Sequence, residues 1–142
     1  MFRLRRWFRS AAMLALLSAL GCGGSFFVAS SNGQLLIFVS VDPSVADPMH
    51  FSSAQVQFTA RGMFNMSPDV VSSLSGVMWT IDHPAFSGMP DLGHAFIDQN
   101  GVATCAPGFV GTARVFATAA ADPSRPVSAQ NSKVGTAQLV CP

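Results

Sequence analysis

Two aspartates and two histidines lie between residues 82 and 94 of this 142-residue chain: Asp82, His83, Asp91 and His94. Imidazole and carboxylate groups are common ligands of Zn²⁺, and an aspartate–histidine pair activates the serine of many hydrolases. The four residues follow no fixed ligand spacing, and the chain holds neither a G-x-S-x-G nor an H-E-x-x-H motif. We therefore expect solvated loop residues, with no bound metal and no catalytic residue. An envelope enzyme or metal protein that uses this loop is the less favoured alternative.

A second acidic motif follows at Asp98-Gln99-Asn100-Gly101. It matches part of a calcium-binding loop, but the glutamate that completes such a loop is missing, because the chain contains no Glu. Asn-Gly is instead the typical pair of a type I′ hairpin turn, in which both residues have positive φ angles. We predict that residues 95–105 form a β-hairpin with Asn100 and Gly101 at its turn.

Aromatic and sulfur-containing side chains are further candidates for a binding surface. The chain has twelve Phe and no Tyr, and Phe86, Phe96 and Phe116 are candidates for an exposed stripe. Burial is the default for phenylalanine, and the alternation does not say which face is covered. The methionines beyond the N-terminal segment show no copper-type spacing, so we expect them to pack in the core and loops. These are Met49, Met63, Met66, Met78 and Met89.

The first 21 residues have the layout of an export signal. Residues 1–10 hold four arginines and no acid, and the ten residues AAMLALLSAL that follow are uncharged. Ten residues of helix rise about 15 Å, half of a bilayer core, which suits a signal better than a membrane span. The stretch Ala19-Leu20-Gly21-Cys22 resembles a bacterial lipobox. That resemblance implies cleavage before Cys22 and lipidation of its thiol, so that lipid at the new N-terminus anchors the protein to a membrane.

Two other interpretations of this segment remain open. One is a plain transmembrane anchor, because no charged residue occurs between Arg9 and Asp42. The glycines and serines around Cys22 weaken such a helix. The other is ordinary signal cleavage near Ala19 or Gly21.

The composition of residues 22–142 narrows the class of protein. Four basic residues stand against seven aspartates, a net charge of −3, which argues against nucleic acid as a partner because that requires clustered Lys and Arg. The chain has no Glu and one Lys, so good helix-forming surface residues are nearly absent. Val, Phe, Thr, Ser and Gly dominate instead, so we predict an all-β fold. Residues 22–33 lack charge and periodicity and are predicted to form a tether. Residues 34–142 remain for one folded domain.

Short segments with strand-like patterns recur through residues 34–142. The clearest is AQVQFTARGMF at 54–64, in which apolar and polar residues alternate. In GVMWTID at 76–82 we predict that Trp79 is a core aromatic packed against residues 54–61. About seven strands are predicted in total, as in a β-sandwich. They cover 35–41, 54–64, 76–82, the two arms of the 95–105 hairpin, 112–119 and 133–140.

The order of these segments resembles bacterial Ig-like domains of group 2. The similarity rests on VQFTARG at 56–62, WT at 79–80, IDQNGVAT at 97–104 and GTARV at 111–115. It covers residues 34–142, although the loop at 82–95 is longer than the usual pattern. The resemblance implies an Ig-like β-sandwich that works as a spacer, adhesive or carbohydrate-binding module, and it implies no catalytic residues.

If lipid occupies Cys22, Cys105 and Cys141 remain in an oxidising compartment. Each ends a predicted strand, and one strand lies between them, so both are expected at the same end of the sandwich. Packed sheets lie about 10 Å apart, whereas a disulfide needs Cα atoms about 4.4–6.8 Å apart. Cys141 is the penultimate residue, however, and its tail is free to bend inward. We predict a Cys105–Cys141 disulfide, with two separate thiols as the alternative.

These expectations describe a cell-envelope lipoprotein with one Ig-like sandwich, exported and held at the membrane by lipid on Cys22. Its expected role is that of a spacer, an adhesive or a binding domain for a polysaccharide or a protein, without enzymatic activity or a cofactor. The alternative is an accessory subunit that docks on a larger envelope complex.

Overall fold

A computed structural model describes residues 33–51, 54–65 and 71–142. The predicted signal peptide (1–21), Cys22 and nearly all of the predicted tether lie outside the described residues. The regular secondary structure of the described chain is almost entirely β, with ten strands and one 3-10 helix at Pro48–His50. The strands are β1 (Leu36–Asp42), β2 (Val45–Ala46), β3 (Val56–Gln57), β4 (Thr59–Phe64), β5 (Val71–Ser73), β6 (Met78–Ile81), β7 (Ala95–Ile97), β8 (Val102–Cys105), β9 (Gly111–Ala119) and β10 (Lys133–Cys141).

Hydrogen bonding arranges these strands in three sheets, in the orders β1-β4-β5, β2-β10-β9-β6 and β3-β8-β7. β3 and β4 are consecutive parts of one extended stretch, interrupted at Phe58, whose N–H donates to the Gly101 carbonyl at 2.8 Å. The first and third sheets therefore continue into one another, and together they form one layer of the sandwich. The four-stranded sheet is the other layer.

The chain crosses between the layers directly after β1. β1 pairs antiparallel with β4, whereas β2 pairs parallel with β10 in the other sheet. The crossing lies at the cis Asp42–Pro43 peptide bond and Ser44, whose carbonyl accepts the N–H of Gln138 at 2.9 Å.

The strand registers define two ends of the sandwich. Leu36 lies opposite Phe64, and Lys133 opposite Ala119. The Leu36 N–H donates to the Ala121 carbonyl at 2.7 Å and so joins these two pairs at one end. We call this the near end, because the chain enters the sandwich there. The far end holds the opposite termini of the strands, where Asp42 pairs with Thr59 and Gly111 with Cys141.

The core lies between the layers and is built from alternate residues of the long strands. Val115 on β9, Leu139 on β10 and Phe58 between β3 and β4 are wholly inaccessible to solvent. Val39 on β1 faces β10 at Gly135, where an added Cβ would lie 2.7 Å from the Val39 carbonyl oxygen. A glycine is therefore needed at 135 for the two layers to approach this closely.

The prediction of an all-β sandwich is confirmed, but ten strands replace the predicted seven. One of the three additional strands arises because the predicted strand at 54–64 divides at Phe58, where the chain changes hydrogen-bonding partners. The others are β2, only two residues long, and β5, a three-residue edge strand whose side chains are all exposed. Neither is long or apolar enough to show a periodic pattern.

Candidate functional site

The loop at 82–94 brings two of its four ionisable side chains together. His94 Nδ1 lies 3.1 Å from Asp82 Oδ1, so the first and last residues of the loop are in contact and its two ends are held together. His83 and Asp91 do not complete a metal site, because no group of three His, Cys, Asp or Glu side chains converges within the described chain. The arrangement is thus a pair rather than a ligand cluster.

Asp82 has a strained backbone. Its φ is +63°, and the His83 N–H donates to the Ile81 carbonyl across it at 2.7 Å. This is the γ-turn with a positive φ at its centre, a rare conformation that costs on the order of 1–3 kcal/mol. The Asp82 N–H meanwhile donates to the Arg114 carbonyl at 2.7 Å, which holds the turn against β9.

Burial makes His94 important to the Asp82 carboxylate. The Asp82 side chain is 5% exposed, and its Oδ2 has no hydrogen-bond partner within the described residues. A carboxylate accepts hydrogen bonds, so the pair forms in the tautomer of His94 that carries a proton on Nδ1. The His94 ring stacks on Phe109 with centroids 4.3 Å apart, and its carbonyl accepts the Ala106 N–H. The imidazole is therefore fixed on both sides, and we call this pair the clasp.

A disulfide lies beside the clasp. Cys105 and Cys141 are bonded, with Cα atoms 5.8 Å apart, so the predicted pairing and its position at one end of the sandwich are confirmed. Cys105 ends β8 in one layer and Cys141 ends β10 in the other. The cross-link therefore joins the two layers at the far end, next to the residue whose N–H bonds to His94.

A groove of about 360 Å³ opens along the edge of the sandwich between β6 and β7. β6 contributes Trp79 to its wall and β7 contributes Phe96, while the loop at 83–91 forms the remainder with Phe86, Met89 and Asp91. Phe86 and Phe96 are 49% and 59% exposed. The groove therefore combines exposed aromatic rings with a carboxylate. The clasp holds together the two ends of the loop that forms much of its wall.

Two members of the predicted phenylalanine stripe thus share one surface, whereas Phe116 is buried at 7% exposure. The sequence pattern does not separate these cases, because the loop that exposes Phe86 follows no periodicity. Phe86 itself has a φ of +65°, a conformation that is uncommon for a bulky side chain.

Trp79 lies at the margin of the core instead of its centre. It is half-buried and packs against the core cluster, so the prediction of a core aromatic near residues 54–61 holds only in part. A Cβ on Gly101 would lie 3.0 Å from the Trp79 ring and 2.6 Å from the Phe58 carbonyl oxygen. The indole therefore packs on the backbone of the hairpin turn, which requires glycine there.

The hairpin at 95–105 is present, but its predicted turn is wrong. Gly101 has a positive φ and Asn100 does not, and Ile97 pairs with Ala103. This fits a three-residue loop with a bulge at glycine. The Asp98 carboxylate accepts the N–H groups of Val102 and Asn100, at 2.9 and 2.8 Å. These bonds, that of Val102 above all, lower the pKa of Asp98 and tie its Oδ1 to the turn.

The near end has a different organisation. A cleft of about 490 Å³ lies there between β5 and the loop at 120–132, lined by Leu36, Phe64 and Arg125 among others. Buried Asn131 holds this loop together: its amide nitrogen donates to the carbonyls of Asp122, Arg125 and Pro126. Its Oδ1 accepts the Asp122 N–H at 2.7 Å. We found no sequence signal for this role, because an isolated Asn in a Ser- and Pro-rich loop is usually solvated.

Within the described ranges, no helix is long and apolar enough to cross a bilayer. No family model matches the chain, and no curated protein matches it in sequence. The site is therefore interpreted from its own geometry.

Proposed function

We propose that this protein is a lipid-anchored module of the cell envelope that binds a polysaccharide or another envelope protein in the groove between β6 and β7. The observation that carries the proposal is the placement of the groove relative to the start of β1. The chain enters at Leu36 on the near end, whereas the loop wall of the groove leaves β6 towards the far end, beside the Cys105–Cys141 disulfide.

The anchor in this proposal is lipid on Cys22, supported by the basic and apolar signal layout and by the resemblance of residues 19–22 to a lipobox. β1 has seven residues and spans about 20 Å. A membrane attachment that leads into Leu36 therefore directs the far end outward, where a partner in the envelope has access to the groove.

Exposed aromatic side chains support binding as the role of the groove. Phe86 and Phe96 expose about half of their surface or more, and apolar rings concentrated on a soluble surface mark interaction sites. The clasp and the disulfide hold the surrounding backbone, which lowers the entropic cost of binding. The proposed role is therefore binding and display rather than catalysis, in line with the resemblance to bacterial Ig-like domains of group 2.

The test uses the full chain in its own cells, with the photoreactive residue p-benzoylphenylalanine placed at position 86. A matched control carries it at position 51, because Phe51 is 43% exposed and does not line the groove. We expect position 86 to cross-link to an envelope component after irradiation and position 51 to give at most a tenth of that yield. Equal yields from both positions, or none from position 86, would contradict a binding role for the groove.

The anchor is tested separately with Cys22→Ser. We expect the wild-type protein to incorporate labelled palmitate and to fractionate with membranes, and the variant to do neither. A wild-type chain that retains Met1 and carries no lipid would refute the anchored part of the proposal.

A further inference from the structure

We infer that the outer face of the β1-β4-β5 sheet, at the near end, rests on the surface of the membrane that holds the lipid anchor. This inference rests on the proposed function, because it assumes that Cys22 carries lipid. It adds a second contact with the bilayer, made by side chains of the folded domain. We call the residues that make this contact the membrane patch: Leu35, Ile37, Phe38, Met63 and Val71.

A bulge in β1 creates this patch. Leu36 pairs with Phe64 and Phe38 with Met63, so Ile37 is an extra residue opposite no partner. A bulge of this kind shifts the alternation of side chains by one residue. Leu36 consequently stays buried, while the consecutive Ile37 and Phe38 are 50% and 57% exposed.

The patch continues across all three strands of the sheet. Met63 pairs with Phe38 on one side and with Val71 on the other, so the three side chains form a row on the outer face. Val71 is 55% exposed. Leu35, 48% exposed, extends the row towards the near end, where its N–H donates to the Asn65 side chain at 2.8 Å.

Polarity changes along this face from the near end to the far end. Beyond the apolar row comes Arg61, which pairs with Ser40 and Ser73, and then Asp42, which pairs with Thr59. Apolar side chains bury in the interface of a bilayer, and a basic side chain beside them is attracted to anionic lipid. The remaining acidic end of the face points away from such a surface.

Several of the other described charges follow the same division, although Arg114, whose carbonyl accepts the Asp82 N–H, lies towards the far end. Arg125 lines the near-end cleft, and Lys133 begins β10 at that end. Asp82 and Asp91 lie on the far side, at the loop of the groove. An anionic bilayer therefore attracts the near end and repels the far end, although Asp122 offsets part of the near-end charge by its position next to Arg125.

The length of chain outside the structure also favours lipid as the occupant. Thirteen residues separate Cys22 from Leu36, so the anchored cysteine lies within about 50 Å of the start of β1 even if the chain is fully extended. Leu35 and Ile37 flank that starting point. The patch is thus held near the bilayer at a high effective concentration, and weak contacts suffice to orient the domain.

The test is lipid photocross-linking with the protein as its own cells process it, in vesicles of phosphatidylethanolamine and phosphatidylglycerol at 3:1. One protein carries p-benzoylphenylalanine at position 38 and the matched control carries it at position 96, since Phe38 and Phe96 are almost equally exposed. We expect phospholipid adducts from position 38 at a yield at least tenfold above that from position 96. Position 71 serves as a second probe of the patch and should behave like position 38.

Equal lipid yields from positions 38 and 96 would overturn the inference, as would cross-links from position 38 to a second copy of the chain. The intact mass of each sample before irradiation reports the lipid on Cys22. An acylated protein without the positional difference refutes the membrane patch alone. An unacylated protein refutes the proposed anchor and, with it, the inference that depends on it.

Discussion

The two ends of the sandwich are held together by different interactions. At the far end, a disulfide joins the layers and a buried carboxylate–imidazole pair closes the loop that walls the groove. At the near end, one buried amide, Asn131, organises the loop through hydrogen bonds to three backbone carbonyls. The difference indicates that a covalent bond and a side-chain pair hold the far end in one shape, as the proposed binding groove would require. The near end depends instead on the hydrogen bonds of one side chain, beside the point where the chain enters the sandwich.

The largest expected effect comes from removal of the far-end cross-link. The disulfide closes a separation of 36 residues, and the chain-entropy model assigns such a loop roughly 4 kcal/mol of stabilisation. We expect Cys105→Ala combined with Cys141→Ala to lower the free energy of unfolding by about that amount in a denaturant titration. A loss below about 1 kcal/mol would mean that the far end does not depend on its cross-link.

At the near end, Asn131→Asp should have the next largest effect. The substitution replaces an amide donor with a carboxylate that faces the carbonyls of Asp122, Arg125 and Pro126. The two N–H donors that the amide shares among these carbonyls are lost, at roughly 1 kcal/mol each, and a carboxylate is left buried against the carbonyl oxygens. We therefore expect about 3 kcal/mol of destabilisation by thermal and denaturant unfolding. Gln130→Glu is the matched control, because Gln130 is exposed, and it should change stability by less than about 0.5 kcal/mol.

Breaking the clasp should cost somewhat less. His94→Ala leaves the buried Asp82 carboxylate without its imidazole partner, which we expect to cost about 2 kcal/mol. In the Asp82→Asn background the same change should cost at least about 1 kcal/mol less, because the charge that required the imidazole is gone. Equal costs in both backgrounds would show that His94 acts through its stacking on Phe109 alone.

The smallest effect concerns the hairpin turn and depends on pH. Because hydrogen bonds lower the pKa of Asp98 below its ordinary value of 3.8, ionised Asp98 stabilises the fold above that pH. The contribution disappears as the pH falls through the lowered value. Asp98→Asn should therefore be less stable than wild type at pH 6 and approach it at pH 2, as measured by urea titration at both values. A difference that grows on acidification would contradict this assignment.

Sequence reasoning anticipated the layers of the fold but not the contacts within them. The hairpin at 95–105 was predictable from its Asn-Gly pair, yet its turn type was not, because the Asp98 side chain captures the N–H groups of two later residues. The Cys105–Cys141 bond was predicted from the order of the strands that the two cysteines end, and it is present. For both the hairpin and the disulfide, the local sequence favours the same arrangement as the order of the strands.

The contact between Asp82 and His94 could not be predicted from the sequence, for a physical reason. Asp82 follows β6 in one sheet and His94 precedes β7 in the other, so their contact depends on how closely the layers approach and on the γ-turn at Asp82. No periodic pattern records either property. The exposed residues of the membrane patch could not be predicted either. The apolar run at 35–41 has the pattern of a buried strand, and only the bulge at Ile37 places the side chains of Ile37 and Phe38 on the outer face.

The central claim is that the near end faces the membrane and the groove faces away from it. Nuclear magnetic resonance with a gadolinium-bearing lipid tests this directly, on the lipidated full chain in phospholipid nanodiscs. The account predicts strong paramagnetic broadening of the amides of Leu36 and Val71 and little broadening of those of Phe86 and His94. Broadening that is equal at both ends, or stronger at Phe86 and His94, would contradict it.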